Sequence, residues 1–276
     1  MPEPLYRQIA QDLREQIESG TLSSGEQLPT EAELGESYTA SRNTIRDAMK
    51  WLITRGLIET RPGQGTFVAP RLVPFVTTLS ADPQTGLGGG EGAGAYAEIT
   101  ERGRTPTWSP PRVELPNAPR YIAARLRIPV GTQVITRSQF RFIDKQPWSQ
   151  QTTAYLLELA TRENAGSLLS PADIPGGAVE YLRGLGIEEV GHRDRIMIRP
   201  PTEDEARFFR LADDGRVSVV SLVRTGYREV GEDDPVPYRA TFTTFPADRN
   251  QFVINSGSVP RALAKPAPGP HFDFDE

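Results

Sequence analysis

The run ASRNTIRDAMK, residues 40–50, sets Ser41, Arg42, Asn43, Thr44, Arg46 and Lys50 within about three turns of one helical pattern. These are the side-chain types that read and grip duplex DNA. Arg can donate two parallel hydrogen bonds to guanine O6 and N7, Asn can bond adenine in the same way, and hydroxyls and Lys reach phosphate oxygens. Ile45, Ala48, Met49 and Leu52 form an apolar stripe. On a wheel of about 100° per residue, Asn43, Arg46, Asp47 and Lys50 fall opposite that stripe, with Arg42 on its flank. The first turn also offers backbone N–H groups without intrahelical partners and the positive end of the helix dipole, both suited to phosphate.

Other chemistry finds few parts. The chain has no Cys and two His, His192 and His271, and lacks the HExxH, GxSxG and P-loop patterns. Nucleophilic and zinc chemistry are therefore without their usual groups, and no catalytic residue, metal ligand or cofactor motif is expected. His192, between a glycine and Arg193-Asp194, reads as a structural or exposed side chain. Residues 86–94 contain six glycines, but a phosphate-cradling loop would need a buried strand before them and a Lys-bearing helix after. A flexible linker over residues 71–95 is the expectation.

The elements that would position the DNA-suited face are legible upstream and downstream of it. Leu5, Ile9, Leu13 and Ile17 recur every four residues and Gly20 closes the pattern, which predicts a first helix. Thr30 and Glu33 have the spacing of a capping box that starts a second helix at about residues 31–38. Ser41 is the N-cap of the third, which Gly56 can end. The short turn between the second and third is that of a helix-turn-helix. LIET and TFVA around RPGQG then predict a hairpin, a wing with Gly63 and Gln64 at its tip.

With 276 residues the chain has room for two domains. Its net charge of −5 argues against a nucleic-acid partner only until the distribution is read, because residues 42–61 carry five basic side chains against two acidic ones. No stretch approaches the apolar length of a membrane span and the N-terminus lacks a signal-peptide pattern, so the cytoplasm is the expected compartment.

From Tyr96 onward helices and strands mix. QVITRSQFRFI and QPWSQQTTAYL flank a turn at Asp144-Lys145-Gln146-Pro147. RVSVVSLVRTGYRE and VPYRATFTTF form a second hairpin, and Thr202 and Glu205 repeat the capping-box spacing. Strands arriving as hairpins, not as βαβ units, predict an antiparallel α+β domain over residues 96–253. The Pro- and Gly-rich residues 254–276 read as a disordered tail.

Over PLYRQIAQDLREQIESG through RPGQGTFV the chain resembles the winged helix-turn-helix domain of GntR-family transcriptional regulators. That resemblance implies a homodimer on a palindromic double-stranded DNA operator, with the third helix in the major groove. By position it implies contacts from Ser41, Arg42, Asn43, Thr44 and Arg46, and from Gly63 and Gln64 at the wing tip; Thr30 and Lys50 complete the expected DNA-facing set. Ala32 stands where some members carry a DNA-contacting Arg, so the operator is expected to differ from theirs.

Residues 95–252 are similar in element order to the UTRA effector domain of the HutC subfamily, whose fold resembles chorismate lyase. The resemblance implies a small-molecule effector that resets the spacing of the two DNA-binding heads. Where phosphosugar-sensing members use two Arg and a Glu, this chain has Gln139, Arg141 and Gln151, and Pro237 replaces an acidic residue before Tyr238 and Arg239. Arg141, Gln151 and Tyr238 are the candidate effector contacts. Two readings stay open: a repressor released by an effector of anionic character, or a regulator of the plasmid-transfer type that binds no ligand. An enzyme related to chorismate lyase is a third, for which no catalytic residues are evident.

Overall fold

The computed structural model describes residues 3–61, 63–69, 75–80, 89–211, 217–231 and 234–256. It divides into two compact units, Met1–Val73 and Pro74–Glu276.

The first unit is three helices and a hairpin. Helix α1 (Leu5–Glu18) and α3 (Arg42–Thr54) cross with α2 (Glu31–Ser37) beside them, and strands β1 (Ile58–Arg61) and β2 (Gly65–Val68) follow. The expected apolar stripes meet: Ile9, Ala10 and Leu13 of α1 bury against Leu34 of α2 and Ile45, Ala48, Met49 and Leu52 of α3. Both predicted caps form. The Glu33 backbone N–H donates to Thr30 Oγ1 at 3.3 Å while the Thr30 N–H donates to Glu33 Oε2 at 2.7 Å, and the Thr44 N–H donates to Ser41 Oγ at 3.2 Å. Gly56 takes φ +68° after α3, the left-handed conformation that ends the helix without a Cβ penalty.

The second unit is built on an antiparallel sheet. Its strands are β4 (Pro106–Trp108), β5 (Arg112–Glu114), β6 (Val134–Ile143), β7 (Gln146–Leu156), β8 (Gly191–Arg199), β9 (Val219–Arg228) and β10 (Val236–Pro246). Their order is β4-β6-β7-β10-β9-β8, with β5 also on β6. The β6–β7 turn is tighter than predicted: Asp144 and Lys145 alone make it, at φ +50° and +65°. One face is covered by α5 (Arg120–Leu126), whose Ile122, Ala123 and Leu126 pack on Val134, Ala154 and Ala240. Helix α8 (Glu203–Phe209) lies on the same face, with Phe208 against Phe140 and Phe142. The opposite face is covered at one end by α6 (Leu157–Arg162) and α7 (Ala178–Gly184), where Leu159, Leu168 and Leu182 pack on Ile135, Tyr155 and Tyr238.

The other end of that face corrects the expected linker. Strand β3 (Phe75–Thr78) is buried and pairs in parallel with β11 (Asn250–Val253), and helix α4 (Gly92–Glu101) begins within the glycine run. The physical reason is burial. Phe75, Leu79 and Ile99 pack on Trp148, Val220, Leu222 and Phe245, so the stretch called a linker from its glycines supplies part of the sheet's cover. Of the remaining expected linker and tail, residues 71–74, 81–88 and 257–276 lie outside the described residues.

Candidate nucleic-acid interface and a buried polar chamber

Packing of α3 through Ile45, Ala48, Met49 and Leu52 leaves Arg42, Asn43, Arg46, Asp47 and Lys50 exposed on its outer side. Arg42 faces Glu31 at 3.6 Å with its side chain 83% exposed, a solvated pair that costs little to open. Ser41 and Thr44 are engaged with each other at the N-cap, Oγ to Oγ1 at 2.8 Å, so Thr44 orients the cap as well as facing outward. Thr30 is likewise occupied with Glu33, its hydroxyl donating to Oε2 at 2.8 Å.

The wing is pinned from a segment that the sequence left as loop. Gln27 Nε2 donates to the Gln64 carbonyl at 2.9 Å, and the Leu28 N–H to Thr66 O at 2.8 Å. Gly63 and Gly65 hold φ +72° and +118°, and a Cβ on Gly65 would meet Gln27 Nε2 at 2.6 Å. The positive φ is why glycine is needed there, since the Gln27 amide is the end of a flexible side chain and can swing aside. Gly63 and Gln64 are exposed at the tip. Arg61 is held back, its guanidinium 4.2 Å from the centre of the Phe67 ring and 2.7 Å from Glu59.

On the second unit, the sheet face beneath α6, α7 and β3 carries polar side chains in its middle. Register places Trp108, Arg141 and Ser149 on one rung across β4, β6 and β7. Arg137, Thr153, Thr241 and Arg224 share another across β6, β7, β10 and β9, and Tyr155 and Arg239 a third. The period-2 alternation of strands sends all of these to one side. Arg239 is 2% exposed and bridges two carboxylates: Nη2 donates to Glu91 Oε1 at 2.7 Å and Nε to Glu189 Oε2 at 2.6 Å. Arg224 donates to Asp194 through Nε at 2.7 Å and Nη2 at 2.6 Å, and through Nη1 to Glu91 at 3.2 Å. Burial pushes the Glu91 carboxyl up, but Arg239, then Arg224 and Arg141, outweigh it and hold it at about 2.

Arg141 differs from these two. It is 4% exposed, its guanidinium lies 4.6 Å from the centre of the Trp108 ring, and Nε and Nη1 have no hydrogen-bond partner among the described residues. Trp108 Nε1, Ser149 Oγ and Thr77 Oγ1 are buried without partners as well. Burial lowers Arg141 to about 10, with Glu91 acting against the shift. Buried donors are satisfied in nearly all native structures, and these are left unmet by the described residues.

Of the three candidate effector contacts, Arg141 and Gln151 lie on paired strands of one face, and Tyr238 reaches the polar cluster through its hydroxyl. Gln151 sits half-buried on the strand beside Arg141, donating to Thr153 Oγ1 at 3.3 Å and accepting from Thr243. Tyr238 is fully buried, its ring in the apolar cluster under α6 and α7 and its hydroxyl donating to Glu189 at 2.8 Å. A β-bulge between Pro237 and Arg239 leaves Tyr238 on the same face as Arg239, whose Nε donates to the Tyr238 hydroxyl at 3.2 Å. His192 lies 36% exposed with Nδ1 3.6 Å from Glu189. Sequence reasoning missed Glu91, Asp194, Arg224 and Trp108; strand parity with Arg141 was the signal for Trp108 and Arg224, whereas Glu91 arrives from a glycine run. No group of three or more metal-ligating side chains occurs among the described residues.

Comparison with known proteins places both units. Residues 5–68 match the model for bacterial regulatory proteins of the gntR family, and residues 101–249, more than half of the chain, match the UTRA domain. The chain is 43% identical over 72 residues to the mannosyl-D-glycerate transport/metabolism system repressor MngR of Escherichia coli, covering 26% of this chain and 30% of that one. It is 30% identical over 158 residues to the uncharacterized HTH-type transcriptional regulator YurK of Bacillus subtilis, covering 56% of this chain and 60% of that protein. The alignments thus span less than two thirds of either relative. A crystal structure assigned to the GntR family of transcriptional regulators superposes with a TM-score of 0.66 at 23% identity, covering 93% of this chain and 99% of that one. That likeness shows a shared fold.

Proposed function

The chain belongs to the GntR family of bacterial regulatory proteins that carry a UTRA domain, and on that premise we propose that it is a DNA-binding transcriptional repressor released by a small anionic effector. The observation that carries the reading is the outward set Arg42, Asn43, Arg46 and Lys50 on α3, ahead of a wing whose tip is fixed by Gln27. Side chains for guanine, adenine and phosphate stand on one face, and Gly63 and Gln64 stand free at the wing tip to meet the neighbouring groove. The unmet donors of Arg141, Trp108 and Ser149 favour a ligand-responsive second unit over a ligand-free one.

The working form is a homodimer on a palindromic operator, in the cytoplasm. Support for a second copy comes from β8, which ends the sheet and carries Ile196, Met197 and Ile198 at 44%, 42% and 73% exposure. Among the described residues no strand pairs with the outer edge of β8, and such an edge with apolar side chains is a ready surface for another chain. Effector binding needs only to favour one arrangement of the paired heads for release to follow. Sedimentation of the full chain with and without duplex DNA tests this. Two chains on one duplex is the expected complex; one chain per duplex, or no complex with any duplex, contradicts it.

A further inference from the structure

The GGEG run remains to be explained once the linker reading is set aside. Gly89, Gly90 and Gly92 all hold positive φ, +78°, +71° and +64°, and Glu91 between them is the N-cap residue of α4 without capping it. A Cβ on Gly90 would come within 3.0 Å of the Leu79 side chain. These glycines let the backbone make a tight, left-handed path that no other residue type follows without strain. The result is that the Glu91 carboxylate is delivered to the floor of the chamber, onto Arg239 and Arg224 from two different strands. Arg224 also donates to the carbonyls of Gly89 and Leu79.

An effector of anionic character would seek the same partners. Among the described residues Arg137, Arg141, Arg224 and Arg239 are the cations of this face: Arg224 and Arg239 hold carboxylates, Arg137 donates to the carbonyls of Ser167, Leu168, Ser170 and Ala172, and Arg141 keeps two N–H groups unmet. Thr77 has no partner for its hydroxyl among the described residues, and its Cγ2 lies near Gly90. We propose that Glu91 is a built-in occupant of the effector chamber, a carboxylate that stands on Arg224 and Arg239 in place of a ligand, and that a small carboxylate or phosphate anion binds by seating on Arg141 and expelling it. The proposal rests on the effector reading of the second unit and gives that reading its ligand class and its competitor. Because Glu91 is the residue from which α4 starts, its expulsion moves the start of that helix, which is how occupancy becomes a change of shape. A ligand with no preference between the two states would change nothing.

The test titrates the full-length chain with inorganic phosphate and, separately, malonate at constant ionic strength, in the wild type, Glu91→Gln, and Glu91→Gln combined with Arg141→Gln. The expected result is roughly tenfold tighter binding of at least one anion by Glu91→Gln, within the usual range of coupling between competing ligands. The gain disappears in the double variant. Which anion gains the more separates a phosphate ligand from a carboxylate one. Equal, Arg141-dependent affinity in wild type and Glu91→Gln would overturn the role of Glu91 and leave the effector chamber standing. Absence of Arg141-dependent binding of either anion in every variant would overturn both. Hydrogen exchange of the wild-type chain gives a reading that needs no variant: amides of residues 89–101 exchange faster with the anion bound, and unchanged or slower exchange overturns the proposal.

Discussion

The Arg141 guanidinium lies 4.6 Å from the centre of the Trp108 ring, and neither Arg141 Nε and Nη1 nor Trp108 Nε1 has a hydrogen-bond partner among the described residues. A cation stacked on an indole with its donors unmet is poorly compensated for burial, since the ring replaces only part of the lost hydration. Arg141→Met keeps the stacked stem and removes the charge. The variant is expected to match the wild type in urea midpoint or exceed it by about 1 kcal/mol, as buried ionic groups replaced by apolar ones often do. It should lose the response to anions. A loss of more than about 2 kcal/mol, the scale of an ordinary buried charge-assisted bond, would make Arg141 a structural residue.

Glu205 shows the opposite arrangement, a buried carboxylate with every partner in place. It closes the Thr202 capping box, accepts from Arg199 at 2.7 Å through each oxygen, and accepts from Gln150 at 3.1 Å. Burial pushes its carboxyl up, and Arg199 and the Thr202 backbone pull it down to about 2, below the ordinary 4.5. A depressed carboxylate contributes stability that is whole above pH 4.5 and is lost as the pH falls toward 2. Glu205→Gln is expected to cost up to about 3 kcal/mol near neutral pH and to flatten the acid limb of the stability curve in that window. Stability profiles of unchanged shape would refute the assignment.

On α3 the exposed side chains should separate by kind. Arg42→Ala or Arg46→Ala is expected to cost about 1–3 kcal/mol in operator affinity and to relax selectivity at one base position. Lys50→Ala is expected to weaken all sequences evenly and reduce the salt slope by about one. Binding isotherms across a salt series check this. An unaltered slope removes Lys50 from the contacts, and unaltered affinity in both Arg variants removes α3 from the groove.

Ile198 is the most exposed apolar side chain of the β8 edge, at 73%. A charge introduced there blunts strand pairing between copies. Ile198→Lys is expected to shift sedimentation toward the monomer and weaken operator binding, while the circular dichroism spectrum keeps its folded shape and the melt falls with the loss of the dimer. A dimer unmoved by the change places the contact elsewhere.

The head was legible because each of its elements carries a local signal: four-residue apolar spacing in α1, the Thr30 and Ser41 caps, and glycines at the ends of α3 and in the wing. The long hairpins of the second unit were legible from alternation and from Asp144-Lys145. The chamber was not, because its rungs join residues remote in sequence. Arg239 meets Glu91 across 148 positions, and nothing local to either residue encodes that meeting. Glycine composition pointed the wrong way at residues 89–92, where conformational freedom serves a tight buried turn. Strand β3 escaped notice because four residues covered on both sides show no alternation. Arg141 and Gln151 were reachable as neighbours on one strand pair, whereas the bulge at Tyr238 that sets it beside Arg239 has no signature beyond Pro237.

The central claim, that this chain reads a specific DNA sequence through α3 and the wing, is tested most directly by selecting bound sequences from a random duplex pool with the purified full-length protein. Ionic strength is held near 0.15 M, where loosely held phosphate contacts are largely screened. The account predicts enrichment of a palindrome whose half-sites change when Arg42 or Arg46 is replaced. A pool that stays random through successive rounds, with the anions of the second unit absent, would contradict it.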